Sequence, residues 1–141
     1  MSEEDKQRQE ILERTRILRD LERRNKSNER YLQQYARELE AKKRELPDVD
    51  YWLKDAEKQY YRSHSSPNDL KNLQYYEKKK KDLEQEIADL NSTIRVVNKE
   101  IENNNKKMRP HEERIEELLT TIQKNNQDPA NESLRMRLRL Q

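Results

Sequence analysis

The chain has 141 residues, of which 43% are charged and only 30% are apolar, and it contains no Gly, Cys or Phe. A compact globular core needs large apolar side chains and usually glycine at its tight turns, so this composition argues against one. Its 31 Lys and Arg nearly balance 29 Asp and Glu, whereas disorder is associated with a high net charge. These values predict an all-α helical rod without a β-sheet core, and the heptads and the break described below make it a long two-helix coiled coil.

The first predicted element is a helix over residues 3–62. Ser2 and Asp5 have the spacing of a capping box at its start. Apolar residues then recur with the seven-residue period of a heptad, whose a and d positions form the seam between paired helices. Pro47 interrupts the backbone donors of this segment, so we expect a kink near it or a brief interruption. The predicted seam residues here are Leu18, Leu21, Leu32, Leu39 and Leu46.

A break at residues 63–66 separates this helix from a second one over residues 67–126. Ser66 has the character of an N-cap, and Pro67 suits the first position of a helix. The second helix carries the stronger heptad pattern, because several of its a positions are isoleucine and several of its d positions are leucine. Its predicted seam residues are Leu83, Ile87, Leu90, Ile94, Val97, Ile101, Ile115, Leu118 and Ile122.

Residues 127–141 form a tail with a different pattern. Here apolar residues and arginines alternate, which is the period of a strand and not of a helix. The alternation suits a tail that adds to a partner protein, either as a strand or as a short basic helix. The alternating residues are Leu134, Arg135, Met136, Arg137, Leu138, Arg139 and Leu140.

Two architectures satisfy the seam. Isoleucine at a with leucine at d favours an extended parallel dimer of two chains. The short break instead allows the second helix to fold back on the first as an antiparallel hairpin. Folding about this break gives a register in which a and d residues meet when their numbers add to 129, although registers seven residues away also match a to d. That register pairs Leu46 with Leu83, Leu39 with Leu90, Leu32 with Val97, and Asn25 with Asn104.

Asn25 and Asn104 are predicted to set the register. A buried amide is costly unless another amide satisfies it, so polar seam residues select the alignment and the partner. Asn28 lies at a seam position as well, and Lys42 and Lys80 also occupy seam positions, where they lower stability in favour of specificity.

The sequence offers little for catalysis. Thiolate chemistry is excluded without cysteine, and no glycine-rich loop is present to hold phosphate. His64 and His111 lack enough companion ligands for zinc, and we interpret them as a loop and a seam residue. Carboxylates on a two-helix rod have no desolvated pocket to shift their pKa values. We therefore expect no enzyme activity, catalytic residue, cofactor or metal.

The remaining candidates are for partner binding. Aromatic residues dominate interface hot spots, and they cluster on both sides of the break. Lys78 to Lys81 and the tail arginines are basic, which suits an acidic protein surface, a filament or, less well at a net charge of +2, nucleic acid. The predicted docking residues are Trp52, Tyr61, Tyr75, Arg135, Arg137 and Arg139.

These features predict a structural or scaffolding protein that binds other coiled-coil proteins or itself, with a homodimer expected. Chains of this kind are common in cytoskeletal, centrosomal and ciliary structures. The alternatives are a trafficking or signalling adaptor that docks through its tyrosines and tryptophan, and a coiled coil associated with nucleic acid. The acidic N-terminus lacks a signal peptide pattern, and no apolar run is long enough to insert into a membrane, so we expect a cytoplasmic protein.

Overall fold

The structure, a computed structural model, describes residues 1–127. Two α-helices make up nearly all of this part of the chain: α1 spans Glu3–Arg62 and α2 spans Pro67–Gln127. The sequence placed them at 3–62 and 67–126. No strand occurs in the described residues. The predicted all-α fold class is confirmed.

Helix α1 begins with a reciprocal pair of hydrogen bonds. The Asp5 backbone N–H donates to Ser2 Oγ at 3.1 Å, and the Ser2 N–H donates to Asp5 Oδ2 at 3.4 Å. Two of the N–H groups at this end of the chain therefore have side-chain partners. Glu3, Glu4 and Asp5 also place negative charge in the first turn, where it interacts favourably with the helix dipole.

The loop at residues 63–66 reverses the chain without glycine. His64 and Ser65 instead adopt left-handed backbone, with φ of 54° and 71°. The Ser65 N–H donates to the Tyr60 carbonyl at 3.2 Å, a bond that spans five residues and closes the end of α1. The Leu70 N–H then donates to the Ser66 carbonyl at 2.9 Å and begins α2.

Pro47 and Pro110 lie inside α1 and α2, and both helices continue through them. The helix is therefore not interrupted at Pro47, and a kink there stays a prediction. Both proline rings are exposed, so water is available to the carbonyl groups that lose their helical donors. A proline on the outer face of a long helix therefore leaves the packed face in place.

The chain divides into two compact units. Within the described residues, the first contains Met1–Ser27 and the chain from Ile101 to Gln127, so it pairs the beginning of α1 with the end of α2. The second, Asn28–Glu100, contains the loop and is a helical hairpin. In each unit the two helices run antiparallel. Of the two predicted arrangements, the antiparallel one is observed within the chain, and the Ile-rich a positions that favour a parallel dimer serve this packing instead.

Burial follows the heptad in both units. Every predicted seam residue is buried or half-buried, and so is every other a and d position from Ile11 to Ile122. In the first unit Leu21, Leu118 and Ile122 are the buried apolar residues; in the second they are Val49, Ala56, Leu73 and Leu83. The core of each unit is therefore a single stripe along two helices. Supercoiling of the pair stays a prediction.

Candidate functional site

A polar layer lies within the apolar seam of the first unit. Asn25 and Asn104 are 8% and 5% exposed. The Asn104 amide donates to Asn25 Oδ1 at 2.9 Å, and the Asn25 amide donates to Asn105 Oδ1, also at 2.9 Å. Asn25 and Asn104 are the pair that the antiparallel register specifies. Asn105 was not predicted to take part; it occupies an e position, beside the seam.

We expect this layer to favour one alignment of the two helices in the first unit. A shift of one heptad in either direction separates Asn25 from Asn104 and brings a leucine opposite Asn104, so the buried donors and acceptors of that amide lose their partners. Such a group costs about 1–3 kcal/mol. The amide layer therefore penalises alternative registers of the same two helices.

A charged cluster also lies in the first unit. Arg114 donates to Glu10 from Nε at 3.3 Å, and Arg14 donates to the same carboxylate at 3.1 Å. Arg14 also places Nη1 3.0 Å from His111 Nδ1. Because a guanidinium has only donors, the ring nitrogen accepts this hydrogen bond. His111 is a half-buried seam residue with a cation as its partner, an arrangement that does not suit a metal ligand.

The Glu10 cluster makes the stability of the protein depend on pH. The Arg114 hydrogen bond, aided by Arg14, holds the pKa of Glu10 below its usual value of 4.5. Because the pKa of Glu10 is lower in the folded state, the ionised carboxylate stabilises the fold. This stabilisation is fully present above the unfolded-state pKa and is lost as the pH falls through the folded-state pKa. We expect the melting temperature of Glu10→Gln to fall less than that of the wild type between about pH 6 and pH 3.

The measurement is thermal unfolding followed by circular dichroism across that pH range. Glu13→Gln is the matched control, since Glu13 is an exposed carboxylate in the same helix. Parallel pH profiles for the wild type and Glu10→Gln would contradict the assignment.

The two seam lysines of the second unit are explained by partners at the edge of the seam. Lys42 Nζ lies 2.7 Å from Glu86 Oε2, and Lys80 Nζ lies 2.8 Å from Asp50 Oδ1. The hydrogen bond to Glu86 raises the pKa of Lys42, and the hydrogen bond to Asp50 raises the pKa of Lys80. Both lysines cover the seam with their half-buried methylene chains and keep the charge paired at its edge.

The predicted aromatic docking residues are exposed. Trp52, Tyr75 and Tyr61 expose 49%, 58% and 76% of their surface. Trp52 packs edge-to-face against Tyr51 with a centroid distance of 5.3 Å, and Lys79 Nζ lies 5.9 Å from the centre of the Tyr75 ring. Large aromatic side chains are thus available at the surface of the second unit, on both of its helices.

The heptad places these residues on two different flanks of the helix pair. In an antiparallel pair, the g and c positions of both helices lie on one side of the seam, and the e and b positions of both lie on the other. We call these two sides the flanks of the helix pair. Trp52 and Lys79 are at g and Tyr75 is at c, whereas Tyr61 is at b. We call Trp52, Tyr75 and Lys79 the aromatic flank. Tyr61 does not belong to it.

The tail candidates Arg135, Arg137 and Arg139 lie outside the described residues. In the part that is described, no group of three or more His, Cys, Asp or Glu side chains is arranged to hold a metal ion. Neither α1 nor α2 contains a stretch apolar and long enough to cross a membrane.

The chain matches no protein-family model, no curated protein and no solved structure.

Proposed function

We propose that this protein is a non-enzymatic scaffold that holds other proteins together, and that its partners bind the outer surface of the helix pair. The observation that carries the proposal is the combination of an internally occupied seam with exposed large aromatics. Each helix already covers the other's apolar stripe within its unit. The seam is therefore unavailable to a partner helix while the units stay paired, which leaves the flanks.

The aromatic flank has the chemistry of a protein-binding surface. Trp and Tyr are enriched among interface hot spots because they bury a large area at a small entropic cost. Trp52 and Tyr75 come from different helices, so their relative placement depends on the folded hairpin. This arrangement supports the adaptor alternative too, since an adaptor and a scaffold differ in their partners and not in the way they bind.

The nucleic-acid alternative gains less support. Of the basic run Lys78 to Lys81, Lys80 is ion-paired with Asp50 and Lys79 lies over the Tyr75 ring. Lys78 and Lys79 line a surface groove that also contains acidic residues, among them Glu45, Asp82 and Glu86. Nucleic acid binding depends on positive charge that neighbouring carboxylates do not neutralise, and little of the positive charge on this surface meets that condition.

We place the scaffold in a cytoskeletal, centrosomal or ciliary assembly, because chains of this composition are common there. Self-association remains part of the proposal, with a second copy binding an outer flank. A cytoplasmic location is proposed on the same basis.

The test begins with a photoreactive phenylalanine analogue at Tyr75, and at Val96 as the control. Val96 is 67% exposed and occupies a c position on the same flank of the second unit. A protein adduct formed at Tyr75 and absent at Val96 identifies the partner by mass spectrometry. With that partner purified, Trp52→Ala and Tyr75→Ala are each expected to weaken binding about 10- to 100-fold, as for hot-spot residues worth 1.4 to 2.8 kcal/mol.

Both residues are about half exposed, so the variants should keep the helical signal and melting temperature of the wild type. Tyr61→Ala, on the other flank, is expected to bind normally. Unchanged affinity in both the Trp52 and the Tyr75 variants would refute this surface as the binding site.

A further inference from the structure

The first unit has an apolar groove on the e and b flank. Its lining includes Ile11, Leu12, Leu119 and Ile122. Leu12 and Leu119 are 60% and 53% exposed, although most large apolar side chains of this unit lie in the seam. These two leucines come from different helices and line one groove whose other exposed residues are polar. Such an apolar patch is typical of a surface that binds another segment or protein.

The chain beyond α2 starts at this groove. Gln127, the last residue of α2, is itself one of the lining residues. Residues 128–133 then separate it from the alternating segment 134–140. Asp128-Pro129 disfavours continuation of the helix, and six residues are enough chain to reverse direction.

The alternating segment suits the groove in pattern and the flank that continues from it in length. In an extended conformation its Leu and Met side chains point to one side and its arginines to the other. Residues 134–140 would span about 20 Å at about 3.3 Å per residue, the same as about 13 residues of helix at 1.5 Å each. The flank of α2 offers that length between Gln127 and Glu112.

The charges are complementary as well. Glu112 and Glu116 are exposed and occupy e and b positions on the same flank as Leu119. The groove's own cation, Arg8, is ion-paired with Glu4 at 3.3 Å. Arginine side chains are long enough to reach from an extended segment to carboxylates at its edges.

We propose that the groove formed by Ile11, Leu12, Leu119 and Ile122 binds residues 134–140 of the same chain. The apolar residues of the segment lie in the groove, and its arginines pair with carboxylates along the flank. This contact would occupy the predicted docking arginines within the molecule, so the tail would become available to a partner only when it leaves the groove.

Disulfide formation within the full-length protein tests the proposal, because the chain has no cysteine of its own. Two double variants are compared: Ser133→Cys with Gln123→Cys, and Ser133→Cys with Lys124→Cys. Positions 123 and 124 are both exposed and almost equally distant from Ser133 along the chain. Gln123 lines the groove, however, whereas Lys124 is at a c position on the other flank.

The equilibrium between dithiol and disulfide in a glutathione buffer gives the effective concentration of one cysteine thiol at the other. At low micromolar protein, this value is expected to be about 10-fold or more higher for the Gln123 pair than for the Lys124 pair. Equal values for the two pairs overturn the proposal. Disulfide-linked dimers formed by the Gln123 pair overturn it too, since the occupant would then be the tail of a second copy.

Adding Leu119→Gln to the Gln123 pair removes an exposed apolar side chain from the groove. The preference should drop to the level of the Lys124 pair, with the helical signal and the melting temperature retained. An unchanged preference in this variant shows that the segment binds elsewhere and refutes the assignment to the groove.

Discussion

Leu118→Ala is expected to lower the free energy of unfolding by about 2–3 kcal/mol, whereas Leu119→Ala changes it by less than about 0.5 kcal/mol. The two leucines are neighbours in α2 and undergo the same chemical change. Leu118 is 3% exposed and lies in the seam, and Leu119 is 53% exposed on the flank. The difference between the variants therefore isolates burial from helix propensity.

The loss at Leu118 is large because the core of each unit is one side chain deep along two helices. Few neighbours can move to fill the space that a truncated leucine leaves, so the lost transfer energy adds to the cavity cost. A loss of this size corresponds to about 10 °C in melting temperature for a chain of this length.

Urea denaturation followed by circular dichroism gives the free energies, and the slope of the transition shows whether both variants unfold from the same state. Equal losses in the two variants would show that Leu118 is not part of a packed seam in solution.

The second large effect concerns the polar layer. The double variant Asn25→Ile and Asn104→Leu is expected to be more stable than the wild type by about 3 kcal/mol, or about 10 °C in melting temperature. Isoleucine at a and leucine at d are the residues that the rest of the seam uses. Asn105, which loses its partner, is exposed and can bind water instead.

The single variant Asn104→Leu is expected to change stability little. Burying a leucine stabilises by about 1.5–3 kcal/mol, but Asn25 Oδ1 is left buried without its donor at a cost of about 1–3 kcal/mol. The two replacements are therefore strongly non-additive, and a double-mutant cycle measures their coupling.

The gain in stability should come with a loss of specificity. Without the amide pair, registers shifted by one heptad compete, and light scattering after size exclusion should detect mixed oligomers. A double variant that is less stable than the wild type would contradict this account of the layer.

The sequence was sufficient to predict the helices and, for the hairpin alternative, one central contact. Heptad periodicity and the Ser2 cap specify α1, and the pairing of Asn25 with Asn104 follows from folding the chain about residues 63–66. Helix α1 depends on a local pattern, and the asparagine pair depends on one register of the hairpin. Both can be obtained from residue spacing alone.

Other features could not be predicted because they depend on helix orientation. The spacing of a and d positions is the same for parallel and antiparallel pairs, and the isoleucines at a positions favoured the parallel dimer, which is not the arrangement of the helices within the chain. Glu86 and Asp50 become partners of Lys42 and Lys80 only when the two helices run in opposite directions. The separation of Tyr61 from Trp52 and Tyr75 likewise depends on which flank each position joins.

The left-handed loop residues have a consequence for assembly. Non-glycine residues in this conformation store strain, of order 1–3 kcal/mol each. If residues 63–66 became helical instead, that strain would be released and α1 and α2 would fuse into one continuous helix. Two such opened chains, aligned antiparallel about a two-fold axis, could pair residue 25 of one chain with residue 104 of the other. They would then form the same seam contacts as the hairpin. The conformation of residues 63–66 would thus decide whether α1 and α2 pair within one chain or between two copies. The second arrangement is a domain swap, and a high protein concentration favours it.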